Sequence, residues 1–195
     1  MAHVLIACEF SGIVRDAFIA RGHDAVSCDL LPSERPGPHV MADVRPMLRM
    51  PWDLVIAHPP CTYLANSGVR WLYLGGSGHR ADPDRWARME QAAGFFRLCL
   101  AANAPRLAVE NPVMHGWTQI RPADQFVQPW QFGHGEIKAT GLWLVGLPEL
   151  RPTRIVDGRV PRVHHASPGP DRWRERSRTY PGIAAAMADQ WGALL

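Results

Sequence analysis

Pro59-Pro60-Cys61 and Glu110-Asn111-Pro112 are the stretches of this 195-residue chain whose residue types could do covalent chemistry. Proline removes an amide donor and fixes the backbone, so Cys61 would be held on a stiff, partly exposed turn. A thiol so placed suits a nucleophile. The competing reading is a small buried hydrophobe, the usual state of a free cysteine. Glu110 closes an apolar run, where a carboxylate is partly desolvated and its pKa rises, so it could give a proton to a ring nitrogen. A structural cap or a salt bridge is the alternative. Cys8, Cys28 and Cys99 fall within apolar stretches and are expected in the core.

In an open α/β sheet, ligands bind beyond the carboxyl ends of the strands. The elements ahead of these motifs therefore decide whether they can meet. Residues 3–7 read as a buried parallel strand, followed by the turn Glu9-Phe10-Ser11-Gly12 and a helix over 13–21 that ends at Gly22. Residues 25–28 form a second strand, closed by Asp29. Residues 53–57 form another, closed by the two prolines, and 106–110 and 140–145 two more. Helices are expected over 84–103, with Trp86, Met89, Ala93, Phe96 and Leu100 on one stripe, and over about 183–193. Strands alternating with helices define an α/β class, a doubly wound sheet. Polar or reactive groups gather at every strand end; an acid closing the second strand is common in nucleotide binders, where it accepts ribose hydroxyls.

Length fits a single domain spanning 1–195, with an Arg- and Pro-rich irregular segment over 146–182. There is no CxxC pair, no run long enough to span a membrane and no signal-peptide layout. The expectation is a cytoplasmic protein with reduced thiols. His134, His164 and His165 lack neighbouring ligands at regular spacing, so no metal site is expected. The formal charge is +3, and Lys138 is the single lysine. Eight arginines between Arg151 and Arg178 face only Asp157, Asp171 and Glu175. That excess implies a phosphate-bearing partner, with codon usage and a solvated loop as the plainer explanations.

Phe10-Ser11-Gly12, Asp29, Asp43, Pro59-Pro60-Cys61 and Glu110-Asn111-Pro112 together resemble the ordered motifs of the C5-cytosine DNA methyltransferases, over roughly residues 3–145. Short phage- and prophage-type members of that family have stretches similar to residues 58–63, 138–143 and 176–179. The resemblance implies a Rossmann-like domain of the S-adenosylmethionine-dependent methyltransferase type. It places Phe10, Ser11 and Gly12 against the methionine and adenine parts of the cofactor, Asp29 on the ribose and Asp43 on the adenine amino group. Pro59 would line the transferring methyl, Cys61 would attack the base, and Glu110 would contact its N3 edge. Pro60, Asn111, Lys138, Arg174, Arg176 and Arg178 are the remaining candidates for substrate contact. A thiolate adding at C6, with a proton supplied at N3, turns the cytosine ring into an enamine that can take a methyl group.

This chain departs from that family pattern in three places. Val14 stands where a second glycine is expected, and no glutamine-arginine-x-arginine motif is evident. Only about thirty residues separate Gly146 from Tyr180, against ~100 for a typical recognition domain. Weak sequence preference, a recognition partner protein in trans, or a free cytosine nucleotide as substrate all fit. A non-catalytic module binding nucleic acid or S-adenosylmethionine is the third class, disfavoured by the intact Cys61 and Glu110. If residues 174–178 are extended, Arg174, Arg176 and Arg178 share one side and suit phosphate. Alternatively they pair with Glu175, Asp171 and acids elsewhere to tie down the last helix. Residues 62–84 have the glycine content of a lid, with Tyr63, Trp71 and Tyr73 either stacking on a base or packing the loop.

Overall fold

The computed structural model describes residues 1–76, 78–162, 169 and 172–195. Its strands are β1 (His3–Ala7), β2 (Asp24–Asp29), β3 (His39–Met41), β4 (Leu54–Ala57), β5 (Leu107–Pro112), β6 (Gln125–Val127) and β7 (Thr140–Val145). Its helices are α1 (Ile13–Ile19), α2 (Pro83–Leu100), α3 (Arg172–Ser177) and α4 (Pro181–Gln190). The strands form one sheet in the order β3-β2-β1-β4-β5-β7-β6. β3, β2, β1, β4 and β5 run parallel, whereas β7 is antiparallel to both its neighbours.

Alternation along the strands explains why both faces are covered. Val4 and Ile6 of β1, with Leu54 and Ile56 of β4, pack against Val14 and Phe18 of α1 and Ile183, Met187 and Trp191 of the C-terminal helix region. Leu5 and Ala7, with Val55 and Ala57, face the other way onto Ala93, Phe96 and Cys99 of α2. Every one of these side chains is fully buried or nearly so, as a parallel sheet between two helical layers requires. The result is a doubly wound, Rossmann-like α/β fold.

Several boundaries differ from those expected. α1 stops at Ile19, and Gly22, at a left-handed φ of 82°, closes the turn by donating to the Ile19 carbonyl. α2 begins at Pro83 because the Asp82 carboxylate accepts from the Arg85 amide. It ends at Leu100, since Asn103 is drawn off to bind the Leu48 and Arg49 carbonyls. β3 and β6 are each three residues long and lie at the sheet edges, too short to show a period. The alternating arginines are not extended: Arg174 and Arg176 lie within α3, where two residues apart means opposite sides. Asp171, like His164 and His165, lies outside the described residues. No described helix is long and apolar enough to cross a membrane.

Two glycines give opposite tests of this packing. A Cβ at Gly182, in the first turn of α4, would overlap the Phe132 carbonyl, whereas nothing lies within 4 Å of one at Gly94, on the exposed face of α2. Gly182→Ala is expected to cost about 1–3 kcal/mol. Gly94→Ala should add about 0.5–1 kcal/mol, both read from denaturant unfolding.

Candidate active site at the carboxyl edge of the sheet

The β4–β5 register builds the centre of the site. Ala57, the last residue of β4, sits beside Val109. β5 continues past it, because β7 pairs with it as far as Pro112. Glu110 is therefore inside its strand rather than at the end, and the next residue after β4, His58, falls next to it. His58 Nδ1 lies 2.7 Å from Glu110 Oε2, with only 10% and 12% of the two side chains exposed.

This pair changes the chemistry expected of Glu110. Burial alone would raise the carboxyl, but the His58 hydrogen bond and charge, Lys138, and the Thr179 hydroxyl outweigh it, so the pKa falls below the ordinary value. The Thr179 hydroxyl donates to the same oxygen at 3.5 Å. Glu110 is thus an ionised partner rather than a resting acid, which corrects the sequence-based expectation. His58 moves the opposite way: burial would lower it, but the Glu110 hydrogen bond and charge, with Glu9, raise it. The role of His58 was missed from sequence because nothing in a linear chain reports the β4–β5 register.

After His58 the chain runs through buried Pro59 and exposed Pro60 to the half-buried Cys61. The Cys61 carbonyl accepts from the Leu64 and Ala65 amides, which closes the turn. Asn111 donates its side-chain amide to the Pro59 carbonyl at 2.8 Å, so β5 holds the cysteine turn from below. Its Oδ1 is buried without a hydrogen-bond partner among the described residues. Burial and the Glu110 charge push the Cys61 thiol up, while Lys138 and Arg176 pull it down. These four groups therefore share one electrostatic site.

Lys138 is held there by a 3.3 Å bond to the Arg178 carbonyl and lies 5.8 Å from the Tyr180 ring. Arg178 is spent elsewhere, forking onto both Glu34 oxygens at 2.7 and 2.8 Å. Arg174 sits over Trp173 at 5.5 Å. Arg176 acts on Cys61 through its charge. The Arg178 side chain joins the C-terminal segment to Glu34 in the loop between β2 and β3.

Residues at the ends of β1, β2 and β3 surround a second part of the edge. Gly12 has a left-handed φ of 70°, and a Cβ there would press to 2.6 Å from the Arg15 guanidinium. Glu9, buried, takes the Val14 amide at 2.7 Å and the Arg15 amide at 3.3 Å, capping α1 from outside the helix. Buried Ser11 donates its hydroxyl to Glu9 at 2.9 Å and accepts the Ile13 amide at 3.3 Å. Phe10 is covered by Trp173, ring centroids 5.8 Å apart. Asp29 accepts the Leu31 amide on one oxygen; the other makes no hydrogen bond among the described residues. Asp43 is exposed and pairs with Arg45 at 3.0 Å.

Cys28 and Cys99 are buried as expected, while Cys8 is only half-buried and strained at φ 58°. Beyond Cys61, the described part of the segment expected to form a lid carries 3-10 turns over Asn66–Leu72 and Leu74–Gly76, and Leu64 and Leu72 are buried in the core. Tyr73 packs edge-on to Trp86, and Arg85 and Arg88 hold Tyr63, whereas Trp71 is 44% exposed. His134 accepts the Gly182 amide. Among the described residues no group of three His, Cys, Asp or Glu is placed to hold a metal ion.

No protein-family model matches the chain, and no curated protein matches its sequence. Solved structures do. One is a prophage-encoded E. coli protein described as a DNA modification methyltransferase. It shares 16% identity at a TM-score of 0.50, over 86% of this chain and 56% of its own length. The Entamoeba histolytica methyltransferase EhMeth is more distant: 12% identity and a TM-score of 0.47, over 80% and 58% of the two chains. The chain thus spans little more than half the length of either. The first likeness fixes the architecture as the Rossmann-like methyltransferase fold.

The ion pair also sets a pH window. Glu110, depressed, contributes stability that is lost as pH falls through its lowered value. His58, raised, contributes stability that is lost as pH rises through its raised value. Thermal melting should therefore show an alkaline decline that is absent from Glu110→Gln. His58→Ala, which removes the partner at 2.7 Å from a buried carboxylate, should cost about 3–5 kcal/mol at neutral pH.

Proposed function

We propose that this chain transfers a methyl group from S-adenosylmethionine to C5 of cytosine in DNA, through a covalent adduct at Cys61. The observation that carries the reading is the meeting of Cys61 and Glu110. Cys61 lies in the turn after β4 and Glu110 within β5; Asn111, beside Glu110, holds that turn through the Pro59 carbonyl at 2.8 Å, and the Glu110 charge raises the thiol. DNA as the substrate class draws on the fold shared with the E. coli protein described as a DNA modification methyltransferase.

The cofactor side fits the same reading. S-adenosylmethionine, when bound, supplies an electrophilic methyl group. Asp29 keeps an oxygen without a hydrogen bond for a ribose hydroxyl, and Gly12 lets the backbone turn where a side chain would strike Arg15. Phe10, Asp43 and Pro59 complete that edge, and Ser11 acts through Glu9. Cys61 rests as a thiol, so it must ionise as substrate arrives. Lys138 and Arg176 favour that ionised form. The same two cations support a second substrate, a free cytosine nucleotide whose phosphate they would bind.

Labelled S-adenosylmethionine offered with duplex DNA, dCMP or neither separates these readings by where the label ends. Label at C5 of cytosine in DNA is the expected result; label in dCMP alone moves the substrate to the nucleotide. No label with intact cofactor binding leaves a non-catalytic module. Cys61→Ser should abolish transfer while cofactor affinity stays within about twofold, and wild-type turnover in that variant would exclude the covalent adduct. Asp29→Ala should weaken S-adenosylmethionine binding by about 1–3 kcal/mol in calorimetry. An unchanged dissociation constant would move the cofactor off the β2 end.

A further inference from the structure

The His58–Glu110 pair leaves a problem that the covalent mechanism does not answer. Glu110 is offered as the group that protonates N3, yet it rests as a buried carboxylate. It accepts from His58 at 2.7 Å and from the Thr179 hydroxyl at 3.5 Å. A carboxylate has no proton to give. One must reach it from a neighbour at hydrogen-bond distance, and a threonine hydroxyl is far too weak an acid. His58 is the other neighbour. Its Nε2 is buried and has no hydrogen-bond partner among the described residues, so Nδ1 is the nitrogen through which this ring trades a proton with the protein.

We propose that His58 is the proton store of the site: it holds a proton on Nδ1 against Glu110 at rest and yields it, through that carboxylate, to N3 of the base. The proposal rests on the cytosine C5 reading. In the addition step Cys61, having lost its thiol proton to water, forms the Sγ–C6 bond. The C5=C6 pair shifts to C4–C5 and the C4–N3 pair moves onto nitrogen. The proton on Nδ1 passes to Glu110 and from there to N3, leaving neutral His58 with its hydrogen on Nε2. Once C5 has taken the methyl group, its own proton leaves to water and the Sγ–C6 bond breaks. The N3 proton then returns by the same route, so the pair ends as it began.

The surroundings suit such a store. From β5 Glu110 faces His58, from the β1–α1 turn Glu9 adds negative charge, and from the segment before β7 Lys138 opposes them. Arg176 of α3 acts on Cys61 rather than on the imidazole. Burial and Lys138 oppose charge on the imidazole, but the Glu110 hydrogen bond and charge, with Glu9, outweigh them and raise it above its ordinary value. His58 is thus a positioning residue that acts through Glu110 and does not touch the base.

The test compares wild type with His58→Gln and Glu110→Gln. Glutamine at 58 can still donate a hydrogen bond to Glu110 but carries no exchangeable proton. In wild type, imidazole NMR should show His58 titrating above a free histidine, and in Glu110→Gln the titration should fall below that of wild type. The kcat for methyl transfer should decline as pH rises through the same wild-type value. His58→Gln should lose about a hundredfold in kcat, keep its KM for S-adenosylmethionine and lack that alkaline decline. If His58→Gln retains the wild-type rate and pH profile, the imidazole only pins Glu110 and the store is overturned. A neutral imidazole at neutral pH in wild type overturns it too, whether or not His58→Gln folds. If wild type transfers no methyl group to any cytosine substrate, the C5 reading fails and the donor step with it. Failure confined to the His58 measurements leaves that reading intact.

Discussion

A buried ion pair between the residue that follows β4 and a residue within β5 is the constraint on which this site is organised. Placing a carboxylate where only 12% of it meets solvent is costly unless a partner and further hydrogen bonds compensate. His58, the Thr179 hydroxyl and the nearby Lys138 provide that compensation, and each comes from a different part of the chain. Their convergence brings β4, β5, the segment before β7 and the stretch before α4 to one point. Cys61 is three residues from this point and inherits its electrostatics. A site whose charges are matched internally holds its geometry without a ligand, which is what preorganisation requires.

The remaining edge is arranged by a different device. Glu9 binds the first amides of α1 from within the β1–α1 turn, so the positive end of that helix is already satisfied by the protein. Arg15 follows immediately and runs back through the core to Ser27, Ser33 and the Arg35 and Pro36 carbonyls. The loop between β2 and β3 is thereby fixed against α1. Gly12 has to be glycine for this reason as much as for any ligand, because the arginine occupies the space its side chain would need.

Much of this was legible in the sequence, and the parts that were not share a cause. Buried strands announce themselves as apolar runs, so β1, β2, β4, β5 and β7 could be placed within a residue or two. The reactive ends followed from that. Partners fixed by register could not be read. His58 looks like a flanking residue until β4 and β5 are laid side by side, and the Glu110 carboxyl looks desolvated rather than paired for the same reason. The arginines misled because alternation says where side chains point only once the backbone is known. In α3 they diverge, and Arg178, just past the helix, meets an acid 144 positions away. β3 and β6, edge strands of three residues, carry too little pattern to be seen.

Arg178 holds the cleft in two ways at once. Its guanidinium grips Glu34 on the β2 side, while its main-chain oxygen receives Lys138 on the β7 side. The first tie belongs to arginine; the second belongs to the peptide bond and is common to every amino acid. A genetic screen that scores each side chain at this position would register the guanidinium contacts and stay blind to the carbonyl. In such data the position would look half as consequential as it is, and its other half would surface only where the backbone itself is displaced, by an inserted or deleted residue.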